Sequence, residues 1–319
     1  MRVLVIGGTG HIGTFLVPQL VAAGHDVIVV SRGARRPYRP SESWQHVRIV
    51  ELDRKDEEAR GTFGAQMAAL EAEAVIDLIC FTEESAAQLG EALCGRVRHL
   101  LHCGTIWVHG PSTLVPTTED SPRRPIGSYG VAKAAIEASL LSQSGLPATV
   151  IHPGHITGPG WAPINPAGHL GVEVFQRLAD GQKLALPHLG METLHHVHAA
   201  DVAGVFLAAL ANPSASVGES FHAVAPAAMT MRGYAEKVAD WFGREADLEF
   251  LPWDAWAKTV DADSADITWS HLTHSPNCSM AKADRLLGFR PSYSALDAVA
   301  DAVSALIESG QLTAEPIHP

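Results

Sequence analysis

The opening residues "MRVLVIGGTGHIG" constrain the fold of this chain more than any other stretch. An apolar run of strand length, Val3 to Ile6, is followed by seven residues of which four are glycine, and then by the helical pattern "HIGTFLVPQLVAAGH". A strand, a glycine turn and a helix make the first βα unit of a dinucleotide-binding fold. Gly7 lets the chain turn sharply, Gly10 lets backbone N–H groups approach a pyrophosphate, and Gly13 lets the helix pack close to the strand. The turn residues Gly7, Thr9, Gly10, His11, Ile12 and Gly13 are therefore the expected cofactor cradle. Their spacing is GxxGxxG, not GxGxxG.

Strands and helices alternate over roughly the first 150 residues. Buried parallel strands are expected at 26 to 31, 47 to 52, 74 to 79, 99 to 103 and 148 to 152, with helical stretches such as 55 to 72 and 83 to 94 between them. That alternation predicts an α/β fold with a doubly wound parallel sheet and right-handed crossovers. After Pro153 the segment "HPGHITGPGWAPINPAGHLG" is dense in Gly and Pro and reads as a long functional loop. Helices near 171 to 181, 200 to 211, 231 to 243, 280 to 287 and 295 to 308 follow, with short strands near 184 to 187, 219 to 224 and 247 to 251. Residues 1–152 plus about 192–224 are expected to form the Rossmann domain. About 153–191 and 225–319 should form a smaller mixed substrate-binding lobe.

Charge and composition exclude several classes of partner. A net charge of -12 with only six lysines argues against nucleic acid and anionic membranes. No apolar stretch reaches the ~18 residues that span a bilayer, and Met1 runs directly into the first strand, so no cleavable leader and a cytoplasmic location are expected. Cys80, Cys94, Cys103 and Cys278 show no CxxC spacing, which predicts reduced thiols.

The chemistry is expected at "SYGVAKAAIEASLL". Tyr129 and Lys133 are four apart on a helical pattern and so share a face. An ammonium near a phenol should lower a pKa that is normally ~10 and make Tyr129 a proton donor or acceptor near neutral pH. With four Tyr in the chain, such a pair arises by chance roughly 0.08 times per sequence.

The GxxGxxG turn, Asp53 after the third strand, "HCGTIWVHG" after the fifth and the Tyr129/Lys133 pair together resemble the extended short-chain dehydrogenase/reductase superfamily. Within it the match is to the NAD-dependent epimerase/dehydratase family. "HPGHITGPG", "HHVHAADVA" and "KADRLLGFRPSYSALDAV" resemble further segments of that family, so the likeness covers most of the chain. The resemblance implies that Thr105 hydrogen-bonds the reacting oxygen and that Tyr129 is the acid/base. It also implies that Lys133 holds the nicotinamide ribose, that Asp53 accepts from the adenine amino group, and that a homodimer forms through a bundle containing the Tyr129 helix.

The second strand ends in "VVSRGARR" rather than in the Asp or Glu that suits NAD. Ser31 and Arg32, with Arg35 and Arg36 nearby, offer donors to a 2′-phosphate, so NADP is the expected cofactor and NAD the alternative.

Departures from the family bear on the substrate. Thr105 is followed by Ile106 and Trp107, not by the Asp-Glu pair of the dehydratases, which disfavours dehydration. Leu194, His195 and His152 stand where cationic residues are usual, and His155 stands where many epimerases have Asn. The expected substrate is therefore a small, neutral or singly charged hydroxy-carbonyl compound near His155, Trp161, Asn165 and His196. Imidazoles at His155, His196 and His198 are expected to bind hydroxyls, and partial protonation near pH 6.5 would let them hold a carboxylate. Arg177, Arg232 or Arg285 would restore a diphosphate clamp if folding brought them in. No metal is expected, because "HHVH" lacks a ligand spacing. Tryptophans 161, 241, 253, 256 and 269 suit either substrate stacking or packing. Three functions follow: an NAD(P)-dependent oxidoreductase on a sugar-like or small polyhydroxy substrate, a nucleotide-sugar epimerase with transient oxidation, and a non-catalytic NADP-binding sensor or scaffold.

Overall fold

Val3 to Ile6 carry no polar alternation and need cover on both faces. In the computed structural model, which describes residues 1–34 and 36–318, all four are fully buried. The strands in chain order are β1 (Arg2–Ile6), β2 (Asp26–Ser31), β3 (Arg48–Glu51), β4 (Ala74–Asp77), β5 (His99–Cys103), β6 (Ala148–Pro153), β7 (His155–Thr157), β8 (Leu184–Pro187), β9 (Thr193–Leu194), β10 (His196–His198), β11 (Ser220–Ala223), β12 (Met229–Thr230) and β13 (Leu248–Leu251). Seven of them form one parallel sheet in the order β11-β6-β5-β4-β1-β2-β3. The order reverses between β1 and β4, which opens a crevice beyond their carboxyl ends.

Helices α1 (His11–Ala22), α2 (Arg54–Ala59), α3 (Phe63–Ala68), α4 (Glu83–Leu93) and α5 (Gly127–Ser142) serve the crossovers. The single helix expected over 55 to 72 is two, α2 and α3, because Gly61 takes a positive φ of 70° that ends the first. On one sheet face α1 packs with the helix Ala199–Ala211 around Phe15, Leu16, Val202 and Phe206; on the other Phe63, Leu89 and Ile136 form a second core. A third cluster, centred on Phe175, Tyr234, Val238, Trp256 and Val303, lies among residues after Pro153. Trp241 and Trp256 belong to it, and Trp253 stacks on Trp256 and leans on Trp269, so these four tryptophans pack the protein.

The helix Ala262–His274 has no counterpart in the sequence reading. Asp261 caps it by accepting from the Ser264 N–H at 2.9 Å, yet its buried stripe is only Ala265, Thr268, His271, Leu272 and His274, too polar for a strong helical period. Among the described residues no helix is long and apolar enough to cross a membrane. Arg35, expected near the 2′-phosphate, lies outside the described residues.

Candidate active site

The glycine turn sits at the crevice. Gly7 has φ 82°, and a Cβ on Gly13 would lie 2.2 Å from the Gly8 carbonyl oxygen, so these two positions require glycine. No side chain caps α1 at Gly10, which leaves first-turn N–H groups to receive an anion. This cradle fits the pyrophosphate of a dinucleotide. Asp53 caps α2, accepting from Lys55 N–H at 2.9 Å. Ser31 is buried at the end of β2, with its hydroxyl 3.4 Å from the Gly33 N–H. Arg32 is exposed and makes no ion pair among the described residues. Glu51, paired with Ser31 across β3, packs against Gly33, so a carboxylate also borders this corner.

Thr105, just past β5, caps the short helical turn Ile106–His109. Its hydroxyl oxygen accepts from the Trp107 N–H at 3.3 Å, which leaves the hydroxyl hydrogen to be donated elsewhere. Its own N–H donates to His152 Nδ1 at 3.0 Å. Tyr129 lies in the first turn of α5, 42% exposed, edge-on to Trp107 at 6.0 Å between ring centroids. Lys133 is one turn on.

The expected lowering of the Tyr129 pKa is corrected by this geometry. The Lys133 ammonium donates to the carbonyls of Cys80 and Cys103, each at 2.7 Å, and sits 6.0 Å from the Tyr129 ring centroid. Loss of water around Tyr129, followed by the nearby Cys103, pushes its phenol up to about 12; the Thr105 hydroxyl opposes that shift. Tyr129 is thus protonated at neutral pH.

Histidines gather beside Trp107. His274 stacks on it at 4.2 Å, and His271 and His155 meet it edge-on at 5.4 and 6.5 Å. His155 and His271 lie 4.8 Å apart, and His155 and His196 5.6 Å apart. Hydrogen bonds fix their tautomers. His155 Nδ1 accepts from the His195 N–H at 3.2 Å, so Nε2 carries the hydrogen. His196 Nε2 donates to the Ile164 carbonyl at 2.9 Å and His274 Nδ1 to the Ser270 carbonyl at 2.7 Å, which leaves each with one bare nitrogen. His155 Nε2, His196 Nδ1 and His274 Nε2 are buried with no partner among the described residues.

The expected protonation near pH 6.5 does not survive burial. Desolvation drives His155 well below its ordinary value, His196 down to about 3 and His271 to about 4, and it lowers His274. These rings are neutral.

Other residues expected near the substrate have their polar atoms or ring faces engaged within the protein. Asn165 is fully buried: its amide nitrogen contacts His169 Nδ1 and the Gly171 carbonyl, and its oxygen accepts from the Ala167 and His169 N–H groups, all to shape its own loop. Trp161, 45% exposed, stacks on His11 at 4.9 Å, next to Tyr38 and the glycine turn. His198 accepts from the Ala200 N–H, hydrogen-bonds Asp301 and stacks on Tyr293. His195 is held between Cys278 N–H and the Ala225 carbonyl. Leu194 is buried, and Arg177, Arg232 and Arg285 are exposed, with Arg232 tied to Glu236 at 2.8 Å. The reading missed Trp107, His271 and His274; the i, i+3 spacing of the last two in "HLTH" was the available signal.

Among the described residues one trio, Asp77, Cys80 and His102, has metal-ligand atoms within 4.8 Å of one another. Both Asp77 oxygens already accept from Arg54 Nη1, at 2.7 and 2.9 Å, and burial, followed by the nearby cations of Lys133 and Arg54, holds His102 well below its ordinary value. Two fixed cations make this an unfavourable place for a third.

Residues 3–223 match the model of the NAD dependent epimerase/dehydratase family. A 2'-dehydrokanamycin reductase of Streptomyces kanamyceticus is 36% identical over 140 residues, 44% of this chain and 38% of that protein, so the match spans well under half of the reductase. A UDP-glucose 4-epimerase of Mycolicibacterium smegmatis is 25% identical over 329 residues, 95% of this chain and 97% of its own. The crystal structure of a dTDP-glucose 4,6-dehydratase from Streptomyces venezuelae with NAD bound superposes with a TM-score of 0.75 at 22% identity, covering 98% of this chain and 99% of that one.

Proposed function

The chain belongs to the NAD-dependent epimerase/dehydratase family, and on that premise we propose that it is an NADP-dependent reductase acting on a carbonyl of a small, neutral, hydroxyl-bearing compound. The observation that carries this reading is the set of neutral imidazoles at Trp107 beside Tyr129, each with one ring nitrogen left without a partner among the described residues. Neutral rings with one free donor and two free acceptors match hydroxyl groups and offer no charge to a diphosphate. The similarity, over part of its length, to a 2'-dehydrokanamycin reductase supports the same class.

When bound in this cradle, a reduced nicotinamide would supply the hydride. Tyr129 donates its phenolic proton to the carbonyl oxygen as that oxygen becomes an alcohol, and its pKa of about 12 keeps it in the donating state at neutral pH. Thr105 hydrogen-bonds the same oxygen through its hydroxyl and keeps its own hydrogen. Lys133 adds positive charge under the site and a donor for the ribose. The Gly7–Gly13 turn holds the pyrophosphate, Asp53 the adenine, and Ser31 and Arg32 the 2′-phosphate. In this reading residues 1–152 with about 192–224 bind the cofactor, and about 153–191 with 225–319 form the substrate lobe. The enzyme acts as a homodimer in the cytoplasm.

The test is NADPH consumption against a panel of polyhydroxy aldehydes and ketones, including keto-aminoglycosides. Stoichiometric oxidation of NADPH supports the reductase. A second reading, epimerisation of a nucleotide sugar, is favoured by the similarity to UDP-glucose 4-epimerase over 95% of this chain. It predicts a retained cofactor and no net consumption.

A further inference from the structure

Tyr129, Lys133 and Glu137 lie four residues apart on α5 and so share one face. The first two belong to the proposed chemistry. Glu137 is buried two turns away, and its surroundings explain its presence. Arg123 donates to both of its oxygens, from Nη2 to Oε1 at 2.6 Å and from Nε to Oε2 at 2.9 Å. Burial alone would raise this carboxyl, but the hydrogen bonds from Arg123 and His152 and the charge of Arg123 outweigh that and hold Glu137 far below the usual carboxylate range. Arg123 is itself anchored on the Glu119 and Ser121 carbonyls and on Ser220 Oγ.

The other neighbour of Glu137 is His152, fully buried at the end of β6, with Nε2 3.1 Å from Glu137 Oε1. A backbone N–H can only donate, so the Thr105 N–H fixes His152 Nδ1 as the acceptor and Nε2 as the hydrogen-bearing atom. Glu137 selects that same tautomer by accepting from Nε2. The imidazole reaches Thr105 because Gly104 has no side chain: a Cβ there would stand 2.4 Å from His152 Nδ1.

We propose that Arg123, Glu137 and His152 are positioning residues that lock the backbone of Thr105, so that its hydroxyl is held in register with Tyr129. This rests on the reading of Thr105 and Tyr129 as the reacting pair. The helix that presents Tyr129 also fixes Thr105, through Glu137 two turns away, so the two donors are set from one rigid element. A displacement of about 1 Å between such groups costs on the order of 10²-fold in rate.

The test combines a spectroscopic signature with kinetics on the NADP-loaded protein. In wild type, labelled with ¹⁵N, a through-hydrogen-bond coupling is expected between the Thr105 amide and His152 Nδ1. In Glu137→Gln the amide oxygen stays with Arg123 and the NH2 group turns to His152 Nε2. That forces the opposite tautomer, two donors meet at Thr105, and the coupling is lost. With NADPH and dihydroxyacetone as probe, His152→Leu should lower kcat by about 10²-fold and leave the KM for NADPH unchanged. His152→Asn, whose amide oxygen stands in for Nδ1, should recover most of that loss. Absence of the coupling in wild type, a His152→Leu enzyme with wild-type kcat, or equal impairment of the Leu and Asn variants would overturn the proposal. A Tyr129→Phe enzyme as active as wild type would instead remove the reacting pair itself; the wild-type coupling, which does not depend on Tyr129, tells that failure from a failure of the relay.

Discussion

Lys133 donates to the Cys103 carbonyl at 2.7 Å, and this contact ties α5 to the end of β5, two residues before Thr105. The same ammonium holds the Cys80 carbonyl beyond β4. Lys133→Met should therefore do more than weaken NADP binding. It leaves two carbonyls without their donor, a loss of about 1–3 kcal/mol in urea unfolding. An unchanged unfolding midpoint would show that these hydrogen bonds are replaced at no cost.

The β2 corner sets two donors, Ser31 and Arg32, against one carboxylate, Glu51. A charge-assisted pair from Arg32 to a 2′-phosphate contributes about 1.5–3 kcal/mol, so NADP should bind at least tenfold more tightly than NAD in calorimetry. Ser31→Asp with Arg32→Ala should reverse the preference. Equal affinities, or an NAD preference in wild type, would mean that Glu51 decides the corner.

Neutral histidines beside Tyr129 predict weak diphosphate binding. Titration of the NADP-loaded enzyme with UDP, dTDP and GDP should show no specific micromolar binding. Micromolar affinity for any of them would reject the small-substrate reading and place the epimerase first.

Acid should unfold this protein unusually early. His11, His99, His109, His195, His196 and His271 are buried, and desolvation pushes each down to about 3 or 4, against 6.5 in the unfolded chain. Below pH 6.5 the unfolded state takes up these protons first, so stability present above that pH is lost as the pH falls toward 4. All six act in the same direction, each by up to about 1.4 kcal/mol per pH unit between its two pKa values, so the loss deepens steadily below pH 6.5. Circular dichroism should show cooperative unfolding between about pH 5 and 6; a native spectrum at pH 4.5 would contradict this.

The sheet was legible because its strands are continuous apolar runs, as at Val3–Ile6 and Val27–Val30, and because only glycine can make the turn at Gly7 and Gly13. Lys133 and Tyr129 were legible as a pair by spacing alone. What each does to the other was not, since the partners of the ammonium are carbonyls of Cys80 and Cys103, which no side-chain pattern displays. His155 and His196 were legible as candidate substrate residues, but their company of Trp107, His271 and His274 was not. Residues such as His155 and His274, more than a hundred positions apart, meet at Trp107 only after folding, whereas Asn165 spends its polar atoms on its own loop.

Proton donation by Tyr129 is the central claim, and a single substitution isolates it, since Phe keeps the ring against Trp107 and removes only the hydroxyl. The most direct measurement is NADPH oxidation by wild type and Tyr129→Phe on the same hydroxy-carbonyl substrate, with NADPH affinity measured alongside. The account predicts a fall in kcat of roughly 10²- to 10⁴-fold with NADPH affinity unchanged. Equal turnover by the two proteins would contradict it.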